Sequence, residues 1–364
     1  MLRTLFSLAL LAFAAPACSV SSARETSDPV VSNIDLSFMS KAVARGEHGR
    51  IQAVIVEQQG KILFEEYWRG STAQSRIDAR SVSKSITALA VGIAMDEGAI
   101  ESLDLPVVDI IAGDARVMND GQLKRSITLR DLLSMSSALD CNDWSSSSPG
   151  NEERMYSTDI WTRFAIDIPV DPAYARNEVG QGRFSYCTAG AFLLGRVVEA
   201  KTNFSFDSYV QRRLFDPLDI IGAEWTRSPI GEVQSGGQLK LSARDFQRIG
   251  RLVLDGGSVN GKHLISRKRL QTIIKPRVPA GGGLSYGYLW WFRNFTLPDE
   301  REISAALMMG NGGNMVVLFP ETDTLVVILA TNYNRRDMTE KSVALIRDYI
   351  LPTLPEGGKA ELFK

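Results

Sequence analysis

Residues 80–98 read RSVSKSITALAVGIAMDEG, and the architecture follows from this stretch outward. Ile86, Leu89, Ala90, Ile93, Ala94 and Met95 cover much of the circumference of a helix over residues 81–98, so the spacing predicts a buried helix. Its first turn nevertheless carries Arg80, Ser81, Ser83, Lys84 and Ser85. Serine caps helix starts, but a cation there opposes the helix dipole. A polar group carried into an apolar interior also needs partners. Ser81 and Lys84, three residues apart, lie on one face of a helix. A hydroxyl is a poor nucleophile without a base within hydrogen-bond reach, and an amine one turn further on can supply it. A solvated lysine beside a capping serine is the plainer alternative, because Ser-x-x-Lys recurs by chance.

Before this helix, residues 36–45 read as a short helix. Residues 51–57 and 62–68 read as two strands joined by the turn Gln58-Gln59-Gly60. After it, residues 103–226 are mostly helical. Thr128 with Asp131 opens one helix, residues 189–200 form another, and residues 206–215 form an amphipathic third. Residues 141–154, with Asp143, Trp144, four consecutive serines, Pro149 and Gly150, read as a long surface loop. Helices over 242–254 and 266–274 follow, then strands over 286–292, 304–309, 315–319 and 325–330, and a closing helix over 339–351. Early and late strands around a helical middle imply an α+β fold. Its antiparallel sheet is built from both chain ends, flanked by helices and interrupted by an inserted helical lobe. The expected domain covers residues 34–351: an α/β part at about 34–100 and 236–351, a lobe at about 101–235, and a tail at 352–364. The chain lacks an internal repeat, which disfavours a solenoid.

Hydrophobic residues make up 44% and charged residues 23%, as in an ordinary soluble domain with a substantial core. The 41 basic and 42 acidic residues are spread along the chain, without the concentrated positive surface that nucleic acid demands. Arg3 precedes an apolar stretch over residues 5–15, the pattern of an export signal ending near residue 17 and too short for a membrane span. Residues 18–33 read as a leader or tether. Cys18, directly after Ala15-Pro16-Ala17, fits either a lipidated mature N-terminus or a free secreted protein, so a periplasmic or secreted location is expected, with a lipid anchor as one form of it. Cys141 and Cys187 remain as two separate thiols or as a pair, which an oxidising compartment would permit.

Two further motifs stand out. Tyr186-Cys187-Thr188 precedes the 189–200 helix, and a tyrosine held by Lys84 can pass a proton between nucleophile and leaving group. On its own, Tyr186 is more simply a buried tyrosine. Gly310-Asn311-Gly312-Gly313-Asn314 lies between two strands, either as a hairpin turn or as a bare sheet edge whose N–H groups stabilise an oxyanion.

With Ser81, Lys84 and Tyr186 in this order, the chain resembles the class C beta-lactamase-related serine hydrolases, which include D-alanyl-D-alanine carboxypeptidases, family VIII-type carboxylesterases and 6-aminohexanoate oligomer hydrolases. TLRDLLSMSS at 128–137, FSYCTAGAFLLGRVVE at 184–199 and GGQLKLSARDFQRIGR at 236–251 extend the resemblance. The resemblance implies a beta-lactamase/DD-peptidase-like fold and no cofactor. It makes Ser81 the acylated nucleophile, Lys84 its partner and Tyr186 the proton shuttle. The backbone N–H groups of Ser81 and Asn314 would form the oxyanion hole. Thr188 stands where the family often has Asn and would meet a substrate amide carbonyl. Asn311, Gly312 and Gly313 fall on the Lys-Thr-Gly or His-x-Gly segment, without the cation expected to meet a beta-lactam carboxylate. The expected substrate is therefore a small ester or amide. A peptidoglycan-directed D,D-carboxypeptidase, a beta-lactamase, and a non-catalytic binding protein are the alternatives. Only His48 and His263 could serve a histidine triad, and neither lies near these motifs. Clustered metal ligands are not visible in the sequence.

Overall fold

The computed structural model describes residues 31–32, 34–297 and 300–363. The signal segment, Cys18 and all of the leader but Val31 and Ser32 lie outside the described residues. The frame is a nine-stranded antiparallel sheet. Its strands are β1 (Val31–Ser32), β2 (Ile51–Gln58), β3 (Lys61–Tyr67), β4 (Val278–Gly281), β5 (Leu284–Tyr286), β6 (Trp291–Thr296), β7 (Glu302–Gly310), β8 (Asn314–Phe319) and β9 (Thr324–Ala330). Their order is β1-β3-β2-β9-β8-β7-β6-β5-β4. The two chain ends meet where β2 pairs with β9, from Gln58 opposite Thr324 to Ile51 opposite Ala330. Strands β2, β8 and β9 are buried at every residue. This is why β8 and β9 read as nearly continuous apolar runs rather than as alternating ones, whereas β2 also buries Gln52, Glu57 and Gln58.

The Ala243–Leu254 helix packs against β2, β8 and β9. Its approach is close enough that a methyl group on Gly250 would lie 2.6 Å from Leu325. The Ser83–Asp96 helix is buried from Ser83 through Ala94 and packs against the Thr188–Thr202 helix of the lobe. The lobe holds Val107–Ala112, Leu129–Leu133, Glu152–Tyr156 and Trp161–Asp167 as further short helices. The catalytic candidates therefore sit where the sheet and the lobe meet.

Three local expectations change. Residues 286–292 do not form one strand. Tyr286 ends β5, the Gly287 N–H donates to Trp290 O, Leu289 adopts φ 58°, and β6 begins at Trp291. The unbroken aromatic run conceals this turn, because alternation stops giving a strand signal once every residue is buried. Residues 141–154 are not wholly loop, since Glu152 starts a helix and Cys141 is disulfide-bonded to Cys187. The 81–98 helix opens with a 3₁₀ turn over Arg80–Val82, and regular α-helix starts at Ser83.

Candidate active site

Ser81 is presented by a strained turn. Arg80 adopts φ 55°, a left-handed conformation that costs an ordinary residue about 1–2 kcal/mol. Its surroundings hold it there. The Arg80 N–H donates to Asp78 Oδ1 at 2.9 Å, and its guanidinium lies 4.6 Å from the Tyr333 ring centroid. The Tyr333 hydroxyl in turn donates to Asp78 O at 2.8 Å.

One turn on, Lys84 is 1% exposed. Its Nζ donates to Ser81 Oγ at 2.9 Å, Thr188 Oγ1 at 2.8 Å and Gly236 O at 2.6 Å. These three oxygens give the buried amine a full set of hydrogen-bond partners, which meets the need of a polar group in an apolar interior. Gly236 is required there, because a methyl group on it would stand 2.8 Å from Thr188 O. Further along the helix, Ser85 donates to Leu289 O at 2.7 Å and Thr87 to Ser235 O at 2.6 Å, so these buried hydroxyls also have partners.

Tyr186 is buried, and its ring centroid lies 5.0 Å from Lys84 Nζ. Burial raises the pKa of its phenol, while the Lys84 charge and a hydrogen bond with Ser81 oppose the rise. Its ring is stacked between Trp144, with planes 2° apart, and Trp291, with planes 28° apart. The Cys141–Cys187 disulfide ties the Trp144 loop to the Tyr186 segment.

Thr188 is fully buried with its hydroxyl on Lys84, so the structure makes it a lysine partner rather than a group facing substrate. The glycine-rich turn divides in a similar way. Among the described residues, β7 outruns β6: Leu307 pairs with Trp291, and Met308, Met309 and Gly310 have no strand partner on that side. Gly310 borders the nucleophile. A methyl group on it would lie 2.0 Å from Ala79 O and 3.2 Å from Ser81 N. Asn311 instead exchanges hydrogen bonds with Asn334. Gly312 lies against Tyr333, and Gly313 against Met338 and Ser342. Asn314 stands opposite Gly310 in the ladder and is fully buried. Its carboxamide donates to Asn311 O and accepts from Ala330 N–H. The structure therefore brings Gly310 to Ser81, with Asn314 paired directly opposite it. The carboxamide of Asn314 pins the turn.

Sequence reasoning missed Asp143 and the Gly236 carbonyl. Asp143 Oδ2 accepts the Thr188 N–H at 2.7 Å and its Oδ1 accepts the Glu152 N–H at 3.0 Å. Burial, then repulsion from Glu152, pushes its pKa up to about 6. A lone Asp in a serine-rich loop gives no local sign of such a role. His48 bonds to Lys341 O and His263 to Ser258, so neither serves Ser81.

A Ser-x-x-Lys pair with its lysine buried, and a tyrosine beside it, are thus set where an antiparallel sheet meets a helical lobe. The chain belongs to the beta-lactamase family, whose profile matches residues 42–348. It is 26% identical over 300 residues to the 6-aminohexanoate-dimer hydrolase of Paenarthrobacter ureafaciens, covering 77% of this chain and 72% of that one. Among solved structures, a Bacillus anthracis chain described as a candidate 6-aminohexanoate-dimer hydrolase superposes with TM-score 0.69 at 17% identity, covering 84% of this chain and 79% of its own. The penicillin-binding protein of Bacillus halodurans superposes with TM-score 0.61 at 17% identity, covering 84% and 98%.

Proposed function

We propose that this chain is an exported serine hydrolase that cleaves a small ester or amide through an acyl-enzyme on Ser81. The observation that carries the reading is the Lys84 Nζ to Ser81 Oγ contact of 2.9 Å at the start of a buried helix, with the Tyr186 ring centroid 5.0 Å from the same amine. Ser81 Oγ attacks the carbonyl carbon, and its proton passes through the Tyr186–Lys84 pair to the departing alkoxide or amine. Water then attacks the acyl carbon, returns its proton by the same pair and frees Ser81. Lys84 and Tyr186 share this work as a coupled couple. The backbone N–H of Ser81 and the bare edge of β7 at Met308–Gly310 are the natural donors for the oxyanion.

The name of the Paenarthrobacter relative, a hydrolase of a 6-aminohexanoate dimer, favours small-molecule hydrolysis. Export is supported by Arg3 and the apolar stretch that follows, and by the Cys141–Cys187 disulfide, which suits an oxidising compartment. Cys18 is the lipidation candidate in this reading.

Intact-mass measurement after incubation with a fluorophosphonate tests the assignment. One adduct is expected on the wild type and none on Ser81→Ala; labelling that persists in the variant refutes it. Parallel assays with an aryl ester, a chromogenic cephalosporin and a D-alanyl-D-alanine peptide separate the ester or amide reading from a peptidoglycan-directed carboxypeptidase or beta-lactamase. The absence of a cation at Asn311 favours the first.

A further inference from the structure

Asp143 lies at the joint between the nucleophile machinery and the disulfide-tied loop. Its two carboxylate oxygens take one backbone N–H each from two helix starts, Glu152 and Thr188. Its own N–H donates to Tyr186 O at 2.9 Å. Thr188 therefore has its main chain fixed by Asp143 while its hydroxyl receives Lys84 Nζ, and Lys84 holds Ser81. Tyr186, two residues earlier, is fixed from the same side. We infer that Asp143 is a positioning residue for the acyl-transfer reaction, and that its ionised carboxylate sets the placement of Thr188 and Tyr186 on which the Ser81–Lys84 contact depends. This rests on the hydrolase reading above.

The titratable groups facing Asp143 are Glu152, Lys84, Tyr156 and Tyr186. Glu152 and burial disfavour its ionised form, and Lys84 favours it. A carboxylate accepts at both oxygens, whereas a protonated carboxyl must donate from one of them. Protonation therefore weakens one of the two helix-start bonds and also removes the anion near Lys84. The raised pKa of Asp143, about 6, places this loss in a mildly acidic range. Activity should rise with pH through that value.

The test uses three enzymes: wild type, Asp143→Asn and Glu152→Gln. Steady-state aryl-ester hydrolysis is followed across pH, with fluorophosphonate labelling of Ser81 as a control. The Asp143→Asn amide keeps one acceptor and loses the charge. A lost charge-assisted hydrogen bond corresponds to about a 10- to 100-fold fall in kcat, with KM within about twofold, and the acid limb near pH 6 should vanish. Glu152→Gln keeps its bond to Tyr156 but removes the repelling charge, so its acid limb should move to lower pH at unchanged plateau. An Asp143→Asn enzyme with wild-type kcat and an intact limb overturns the inference. So does an unmoved limb in Glu152→Gln, which decides the matter if Asp143→Asn fails to fold. Absence of a Ser81 adduct in the wild type would count instead against the hydrolase reading.

Discussion

Replacing Thr188 with valine separates the role the structure gives this residue from the role implied by resemblance. Thr188 is fully buried and its Oγ1 lies 2.8 Å from Lys84 Nζ. Valine has nearly the same shape, so no cavity opens, but one of the three acceptors around the amine disappears. Gly236 O at 2.6 Å and Ser81 Oγ at 2.9 Å remain, and the amine is free to swing toward them or lose its alignment with Ser81. Hydrogen bonds to charged groups contribute about 1.5–3 kcal/mol. If that whole amount serves to place Lys84 in the transition state, kcat falls about 10- to 150-fold. KM should stay near its wild-type value, because Thr188 is fully buried and its hydroxyl is engaged by Lys84. Separate kcat and KM values for an aryl ester, together with the second-order rate of fluorophosphonate labelling at Ser81, provide the assay. The labelling rate should fall in parallel with kcat. A variant with raised KM and wild-type kcat would refute the reasoning and restore Thr188 as a substrate contact.

Two further outcomes follow from the same geometry. Gly310→Ala drives a methyl group to within 2.0 Å of Ala79 O, backbone against backbone, beside the Ser81 N–H. Activity should drop by about 100-fold or more while circular dichroism stays near that of the wild type; full activity would show that the edge of β7 does not border the reacting carbonyl. Reduction of Cys141–Cys187, or its replacement by two serines, opens a closure of 46 residues. Chain entropy places the loss at no more than about 4 kcal/mol, or a Tm fall of about 5 °C in a domain of this size. A calorimetric scan showing no change would mean that packing alone fixes the Trp144 loop.

Much of the frame was legible in the sequence, for reasons that are local. Apolar spacing after Lys84 predicted the buried Ser83–Asp96 helix, the serine and aspartate at 242 and 245 form a capping box at the start of the Ala243–Leu254 helix, and the late strands fall within a few residues of β7, β8 and β9. Errors arose where the backbone conformation is decided by contacts outside its own element. The aromatic run at 286–292 concealed a turn, and the start of the Ser81 helix concealed a left-handed Arg80. In both places the conformation is held by partners distant in the chain, Leu133 O accepting the Leu289 N–H in one case and Tyr333 beside Arg80 in the other.

The candidate site divides along the same line. Placing Ser81 and Lys84 on one face needs only helical spacing, so sequence alone determined that pair, and the scarcity of histidine turned the reading away from a histidine triad. Tertiary structure decided what surrounds the pair. The acceptors that hold Lys84 lie 104 residues away at Thr188 and 152 away at Gly236, and Asp143 reaches Thr188 across 45 residues. Asn314, whose backbone N–H the resemblance assigns to the oxyanion, has its side chain buried in the ladder opposite Gly310, and Gly310 borders Ser81. Local periodicity fixes which way a side chain points along its own element. Which loops meet it is set by the packing of the lobe against the sheet.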